Sequence, residues 1–363
     1  MRIPQVTPGC SVWLRMENML FWLSRKINYP LVNPQVLQVS LTNRCNLSCR
    51  MCSIANSSPR EQELTTAQIL HAIDEAQEYG IKEVILTGGE PFLRGDLFEI
   101  AAYCHKKGLR SVVTTNGTLI SESMVESIVN SEINHLHFSI DGLREANDYF
   151  RGAGAFDKII KAVNLLTEKR KNEHFFSMGF ACTIMDNNVD QLFNLVQLAD
   201  NLNIDVINFQ PLVKDNSNFL DKSLPLYWVK NENISVLSQE IKKIREYKRK
   251  RTSVYEEPRL ELLIKYYKGQ LVRKDWTCFG GFKTVFICFS QQQPLVYSCH
   301  GICGNLDKVK LKAAWHSSEA YKLRVHSGKC KDLCLQSCYS RESSGNLANV
   351  LKAVRERKKN HAR

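Results

Sequence analysis

Cys45-Asn46-Leu47-Ser48-Cys49-Arg50-Met51-Cys52 is the stretch on which the reading of this chain turns. Three residues, then two, separate its three thiols. In a chain with no sign of export, clustered Cys point to metal ligation before disulfides. Three thiolates can hold three irons of a [4Fe–4S] cube and leave the fourth iron without a protein ligand, whereas clusters are usually closed by four Cys. An open position is what separates a reactive metal centre from a structural one. Zinc sites prefer a CxxC pair with a second pair close behind. No second pair follows within about fifty residues.

Working outward, the trio follows an apolar run, Val36–Leu41, and no helical pattern begins until Thr65. It therefore belongs on a loop at a strand's carboxyl end. Further candidate strands are Glu83–Thr87, Arg110–Thr114, His135–Ile140, Phe176–Ile184 and Asp205–Gln210. Helical patterns lie between them at Thr65–Tyr79, Leu97–Lys107, Ser121–Asn130, Phe156–Arg170 and Asn188–Leu202, with Gly80 and Gly108 as C-caps of the first two. Six strand–helix units in a row predict an α/β fold with a parallel sheet and helices outside. Such sheets bind ligands beyond the carboxyl ends of their strands.

The chain has 363 residues, 44% of them hydrophobic, with 49 Lys+Arg against 37 Asp+Glu and a formal net charge of +12. The excess is dispersed apart from Lys242–Arg251 and the tail Arg355–Arg363, and reads first as solubility. No apolar run reaches the roughly 18 residues that a membrane span needs. No secretion signal is evident at the N-terminus, so the cytoplasm is the expected location. Met16–Lys26 is amphipathic. It suits a cap helix packed on the body, or contact with a membrane surface.

Four segments follow the cysteines at the ends of successive strands. They are Thr87-Gly88-Gly89-Glu90-Pro91, Thr115-Asn116-Gly117, Ser139-Ile140-Asp141-Gly142 and, after a short helix, Arg151-Gly152. Paired glycines let a ligand approach the backbone closely. Glu90 can accept from an ammonium, and Arg151 can clamp a carboxylate in bidentate fashion. In this order, the CxxxCxxC loop and the GGEP, TNG and SIDG segments resemble those of the radical S-adenosylmethionine (SAM) superfamily. The resemblance implies a partial (β/α)6 TIM-like barrel over residues 36–212. It implies a SAM-binding [4Fe–4S] cluster on Cys45, Cys49 and Cys52. SAM would be held by Gly88, Gly89, Glu90, Pro91, Asn116, Ser139, Asp141 and Arg151, with adenine expected near Thr183–Asn188.

After an extension over residues 1–35 and the barrel, residues 213–275 read as a helical bridge, with helices at Ile234–Lys248 and Pro258–Lys268. Residues 276–341 hold seven of the thirteen Cys, and residues 342–363 form a basic tail. A hairpin is expected from Lys283–Phe289, a turn at Ser290–Pro294 and Leu295–Ser298. The order Cys278, Cys299 and then Cys330, Cys334 and Cys338 resembles the SPASM/twitch extension of many radical SAM enzymes. That implies a hairpin-plus-helix domain holding an auxiliary [4Fe–4S] cluster. Cys278 and Cys299 would be ligands, joined by two of Cys330, Cys334 and Cys338. Two features depart from the full pattern: Pro294 stands where a Gly is usual, and the last group is C-x3-C-x3-C. Cys10, Cys104, Cys182 and Cys288 read as buried small hydrophobes. Cys303 is either an extra ligand or an exposed thiol near the substrate.

The resemblance implies reductive cleavage of SAM to a 5′-deoxyadenosyl radical, and removal of hydrogen from a substrate C–H. Oxidation, crosslinking or epimerisation of a peptide or sugar-like small molecule would follow. An acidic reducing partner such as flavodoxin or ferredoxin would suit the net charge. The alternative from another class is a zinc-containing nucleic-acid-binding protein. It lacks aromatic–basic interleaving and any helix-turn-helix or RNP-like segment, so no nucleic acid is expected.

Overall fold

The six apolar runs read as strands in the barrel region all form strands. The computed structural model describes residues 8–52, 54, 63–170, 176–213, 224–248, 260–290, 293–299, 301–331 and 333–335. Helix α1 (Pro8–Ile27) precedes β1 (Val36–Thr42). Then come α2 (Thr66–Glu78), β2 (Glu83–Gly88), α3 (Leu97–Lys106), β3 (Arg110–Thr115), α4 (Glu122–Val129), β4 (His135–Ser139), α5 (Arg144–Arg151), α6 (Ala155–Arg170), β5 (Ser177–Ile184), α7 (Leu192–Asn201) and β6 (Val206–Pro211). These six strands are parallel and neighbour one another in chain order. The architecture is the mixed α/β one read from the sequence, with helices covering one side of a parallel sheet. Thr65 starts α2 with a reciprocal capping box to Gln68.

The alternation sorts the two faces of the sheet. Leu37, Val39, Leu41, Val84, Leu86, Leu136, Phe138, Met178 and Phe180 are fully buried in the main core. The residues between them (Gln38, Ser40, Thr87, Thr114, His137 and Asn208 among others) are half-buried on the opposite face. That face is polar. His137 lies across Gly179, where a Cβ would come within 2.7 Å of its ring, and its Nε2 is 3.3 Å from Asn208 Nδ2. Burial pushes the His137 imidazole down to about 4 and that of His135 to about 2, so both are neutral.

Two further helices, α8 (Ile234–Lys248) and α9 (Leu260–Tyr267), lie where the bridge was expected. Tyr267 ties them to the sheet: its hydroxyl donates to Ile184 O at 2.5 Å and accepts from Leu212 N at 3.0 Å.

The hairpin forms as β7 (Thr284–Ser290) and β8 (Gln293–Ser298), extended by β9 (Gly301–Asn305). Its position was not foreseen. β7 pairs in parallel with β1, so one nine-stranded sheet runs β6-β5-β4-β3-β2-β1-β7-β8-β9. Helices α10 (Leu311–Trp315) and α11 (Ser318–Lys329) follow. The basic tail, residues 342–363, lies outside the described residues.

Helix α1 packs on this Cys-rich side. Phe21 is fully buried beside Phe279, at 6.3 Å between ring centroids, and Lys283 Nζ sits over both rings. Ser24 and Arg25 share the packed side: Arg25 Nε donates to Cys278 O at 3.0 Å. Met16, Leu23 and Ile27 remain exposed. Among the described residues no helix is long and apolar enough to cross a membrane. Replacing a buried Phe by Ala removes its transfer free energy and leaves a cavity. Phe21→Ala is expected to cost about 3 kcal/mol or more, read as a shift in denaturant midpoint; an unchanged midpoint would show that α1 is not seated on the body.

Candidate active site

The parallel strands β1 to β6 deliver their carboxyl ends to one rim, and the sequence-predicted segments meet there. The cysteine loop leaves β1, and the turn after β2 is laced to it. Gly89 N–H donates to Thr42 O at 2.6 Å, and Glu90 N–H donates to Arg44 O at 2.9 Å. A Cβ on Gly89 would fall 2.0 Å from Arg44 O, and one on Gly88, at φ +120°, 2.4 Å from Thr42 O. Only glycine fits either place.

Glu90 is completely buried. Its carboxylate accepts from Thr115 Oγ1 (2.7 Å), Asn116 N–H (2.7 Å) and Phe92 N–H (3.2 Å). Burial still holds its carboxyl above the ordinary range against those hydrogen bonds. A buried carboxylate in that state favours an arriving cation. Asn116 links Glu90 to the cysteines: its side-chain amide donates to Asn46 Oδ1 at 2.9 Å and reaches Cys45 Sγ at 3.8 Å. Pro91 is buried and opens a single 3-10 turn, Pro91–Leu93.

Cys49 is buried, and Cys45 and Cys52 are half-buried. Burial pushes the Cys49 thiol up to about 11; Arg151 opposes this, while Cys52 and Cys45 add to it. All three thiols therefore sit within electrostatic reach of one another. Among the described residues no three His, Cys, Asp or Glu side chains form a group suited to a metal ion. A cubane, unlike a single ion, offers separate iron corners, so its thiolates need not converge on one point.

The ends of β4 and β5 carry a second constellation. Asp141 is fully buried and ion-paired with Arg151 at 2.7 Å. Its Oδ1 accepts from Thr183 N–H at 2.8 Å. Asn188 donates to both Asp141 O (2.9 Å) and Thr183 O (2.8 Å). Burial works against the Arg151 charge, but Asp141 and then Cys49 outweigh it and keep the guanidinium protonated. Arg151 Nε is buried with no hydrogen-bond partner. Such an orphaned donor beside the thiols suits an anionic ligand group. Ser139 stands half-buried at the end of β4. The donor set thus fits a cluster on the cysteines with an amino-acid ligand alongside it.

On the other side of β1, Cys278 and Cys299 come together. Both sulfurs lie 3.2 Å from the place a Cβ on Gly280 would occupy. Gly280 N–H donates to Cys278 Sγ at 3.2 Å. Burial raises the Cys278 thiol, and Cys330 adds to that rise, so a third sulfur is near. Cys330 and Cys334 are half-buried. Cys338 lies outside the described residues.

Two cysteine expectations need correction. Cys303 is buried against Val296 O at 3.4 Å, so it is not an exposed thiol. Cys288 is only half-buried, because it falls on the polar face of the sheet that Phe286 shares with Gln38. Cys104 and Cys182 are fully buried as expected, and the side chain of Cys10 lies outside the described residues. Sequence reasoning missed Glu63 and Arg94. Only the charges of Glu63 and Arg94 near the motifs could have flagged them.

The radical SAM superfamily model matches residues 39–198. The Fe-coproporphyrin III synthase of Methanosarcina barkeri is 36% identical over 176 residues, 48% of this chain and 43% of its own length. An AdoMet-dependent heme synthase of the same organism is 29% identical over 335 residues, 88% of this chain and 93% of that protein. The PqqA peptide cyclase of Granulibacter bethesdensis is 35% identical over 138 residues, 37% of each chain. The first and third relatives are thus matched over less than half their length. Among solved structures, Streptococcus suis SuiB bound to S-adenosylmethionine superposes with a TM-score of 0.65 at 17% identity, covering 83% of this chain and 70% of SuiB. That likeness shares the fold. The cysteine loop, the glycine-backed carboxylate and the Asp141–Arg151 pair are gathered inside residues 39–198, the region that matches the radical SAM superfamily.

Proposed function

We propose that this chain cleaves SAM reductively at a cluster held by Cys45, Cys49 and Cys52, and uses the resulting radical on a substrate C–H bond. The observation that carries the reading is Asn116, which touches Glu90 through its backbone and Cys45 through its side chain. One residue therefore fixes the ammonium acceptor relative to the metal ligands. When bound, a [4Fe–4S] cluster supplies the low-potential electron that splits SAM into methionine and a 5′-deoxyadenosyl radical.

The chain's own residues do the rest. Glu90, backed by Gly88, Gly89 and Pro91, accepts from the amino group of SAM. Arg151 offers its unpartnered Nε to the carboxylate, while Asp141 keeps the guanidinium in place. Ser139 faces the remainder of the ligand at the end of β4. Residues 36–212 act as the catalytic barrel, 213–275 as the bridge and 276–341 as the auxiliary unit. In that unit Cys278, Cys299 and two of Cys330, Cys334 and Cys338 hold a second [4Fe–4S] cluster. The nearness of Cys278, Cys299 and Cys330 supports this assignment. The reductant is an acidic carrier such as flavodoxin or ferredoxin, in the cytoplasm where thiols stay reduced.

The substrate is a peptide or a small organic molecule. The match to a PqqA peptide cyclase supports the first. The near full-length match to an AdoMet-dependent heme synthase supports a tetrapyrrole within the second. Deuterium transfer into 5′-deoxyadenosine from labelled peptides or from labelled iron–coproporphyrin III decides between them.

Cys49→Ala is expected to abolish 5′-deoxyadenosine formation; turnover at the wild-type rate would remove the assignment. Cys278→Ala should lower iron per chain and leave uncoupled SAM cleavage largely intact, and unchanged iron would show that Cys278 is no ligand. Because the Glu90 carboxyl stands above its ordinary value, its charged form is lost early as pH falls. Affinity for SAM should therefore weaken on the acid side, beginning above the usual carboxylate range, and Glu90→Gln should remove that limb while binding SAM about tenfold more weakly. Equilibrium dialysis across pH measures both.

A further inference from the structure

Strand β1 ends at Thr42, where the cysteine loop begins, and Glu63 and Leu64 lead into α2; these two segments lie side by side as a neck. One buried side chain spans that neck. Arg94 Nε and Nη2 bind Asp96 at 2.8 and 2.6 Å. Its Nη1 donates to Leu41 O at 2.9 Å, to Leu64 O at 2.8 Å and, more distantly, to Glu63 Oε2 at 3.4 Å. The outgoing strand and the returning segment are thus held by the same nitrogen. Asp96 in turn accepts from Thr66 Oγ1 at 2.7 Å, at the start of α2.

Glu63 passes the restraint to the cysteines. Its Oε1 accepts from the Thr42 hydroxyl and from Arg44 Nε at 2.7 Å. Thr42 and Arg44 supply the two carbonyls that receive the Gly89 and Glu90 amides, at contacts that leave no room for a Cβ. The outer side of the neck is an open groove lined by Arg44, Glu63, Thr65, Arg94 and Asp96. These side chains brace the neck from that side. Arg94 is 7% exposed and Arg44 50%, so the brace rests on Arg94 and Glu63 rather than on the screened Arg44 pair.

We propose that Arg94, acting through Glu63, is a positioning residue that sets the spacing between the cysteine loop and the Gly88–Glu90 segment. The proposal rests on the radical SAM reading above and deepens it by naming what aligns the ammonium acceptor with the metal ligands. A Lys cannot replace the planar fork, since one ammonium cannot reach Asp96 and both carbonyls in the same geometry.

The test compares wild type, Arg94→Lys and the milder Glu63→Gln as reconstituted full chains. Iron per chain, thermal midpoint, backbone hydrogen exchange over residues 85–93, and the KM and kcat of dithionite-driven SAM cleavage are measured. Both variants should keep iron and midpoint close to wild type. Exchange at Gly89 and Glu90 should quicken about tenfold. KM for SAM should rise about tenfold, with kcat within about twofold. Unchanged exchange and KM in both variants would overturn the proposal. So would a loss of iron in step with the change in exchange, because the network would then merely hold the loop folded. Wild-type protein that binds iron but cannot cleave SAM would sink the functional reading alone, and the exchange comparison would still decide whether the neck is braced.

Discussion

A carboxylate with no exposure sits where two strands end, and the geometry of the rim depends on keeping it satisfied. Removing Glu90 from water is costly, and two backbone amides and one hydroxyl compensate only in part. Those donors come from the turn after β2 and from the last residue of β3 with its turn, so satisfying Glu90 locks the two strand ends together. Asp141 does the same for β4 and β5 through Thr183 and Asn188. An acid at each site that could be replaced by a well-packed apolar group would be no less stable. On the proposed reading, the acids are fixed charges set for a ligand with an ammonium at one end and a carboxylate near Arg151.

Much of this was legible because it is local. Each of β1 to β6 declares itself by a short apolar run, and the cysteine, Gly88–Glu90, Asn116 and Asp141 segments follow their strands directly. The residues that bind a neighbour far along the chain were not legible. Nothing in Thr284–Ser290 says that it will pair with Val36–Thr42 rather than only with its hairpin partner, because a short apolar strand suits any edge. Arg25 reads as one more cation on an amphipathic helix until Cys278 O is placed against it. Glu63 and Arg94 are ordinary charges in sequence; their meaning comes from Leu41 O, Leu64 O and Thr42, which the fold brings to them. Cys303 was read as an extra ligand or an exposed thiol, and burial on β9 beneath Val296 overturns the second.

The parallel pairing of β7 with β1 has a mechanical consequence. Val36 to Val39 pair with Thr284 to Ile287, so the strand that launches the first cysteine loop also carries the Cys-rich hairpin. Cys278 and Cys299 flank that hairpin. The two groups of cysteines are thus joined through hydrogen-bonded backbone rather than through a flexible linker, and α1 closes over the junction with Phe21 and Arg25.

On the proposed reading, burial also shapes how Cys49 would take up iron. A thiol must lose its proton to bind iron. Cys49, raised to about 11, keeps its proton at neutral pH until a metal takes its place. Arg151 is the one charge in the set that favours the thiolate there, and Asp141 holds it in position. The pair that would clamp an amino-acid carboxylate therefore also eases the proton off the most buried ligand. On that reading, assembly of the centre and recognition of its ligand would both draw on one guanidinium, the one that Asp141 holds.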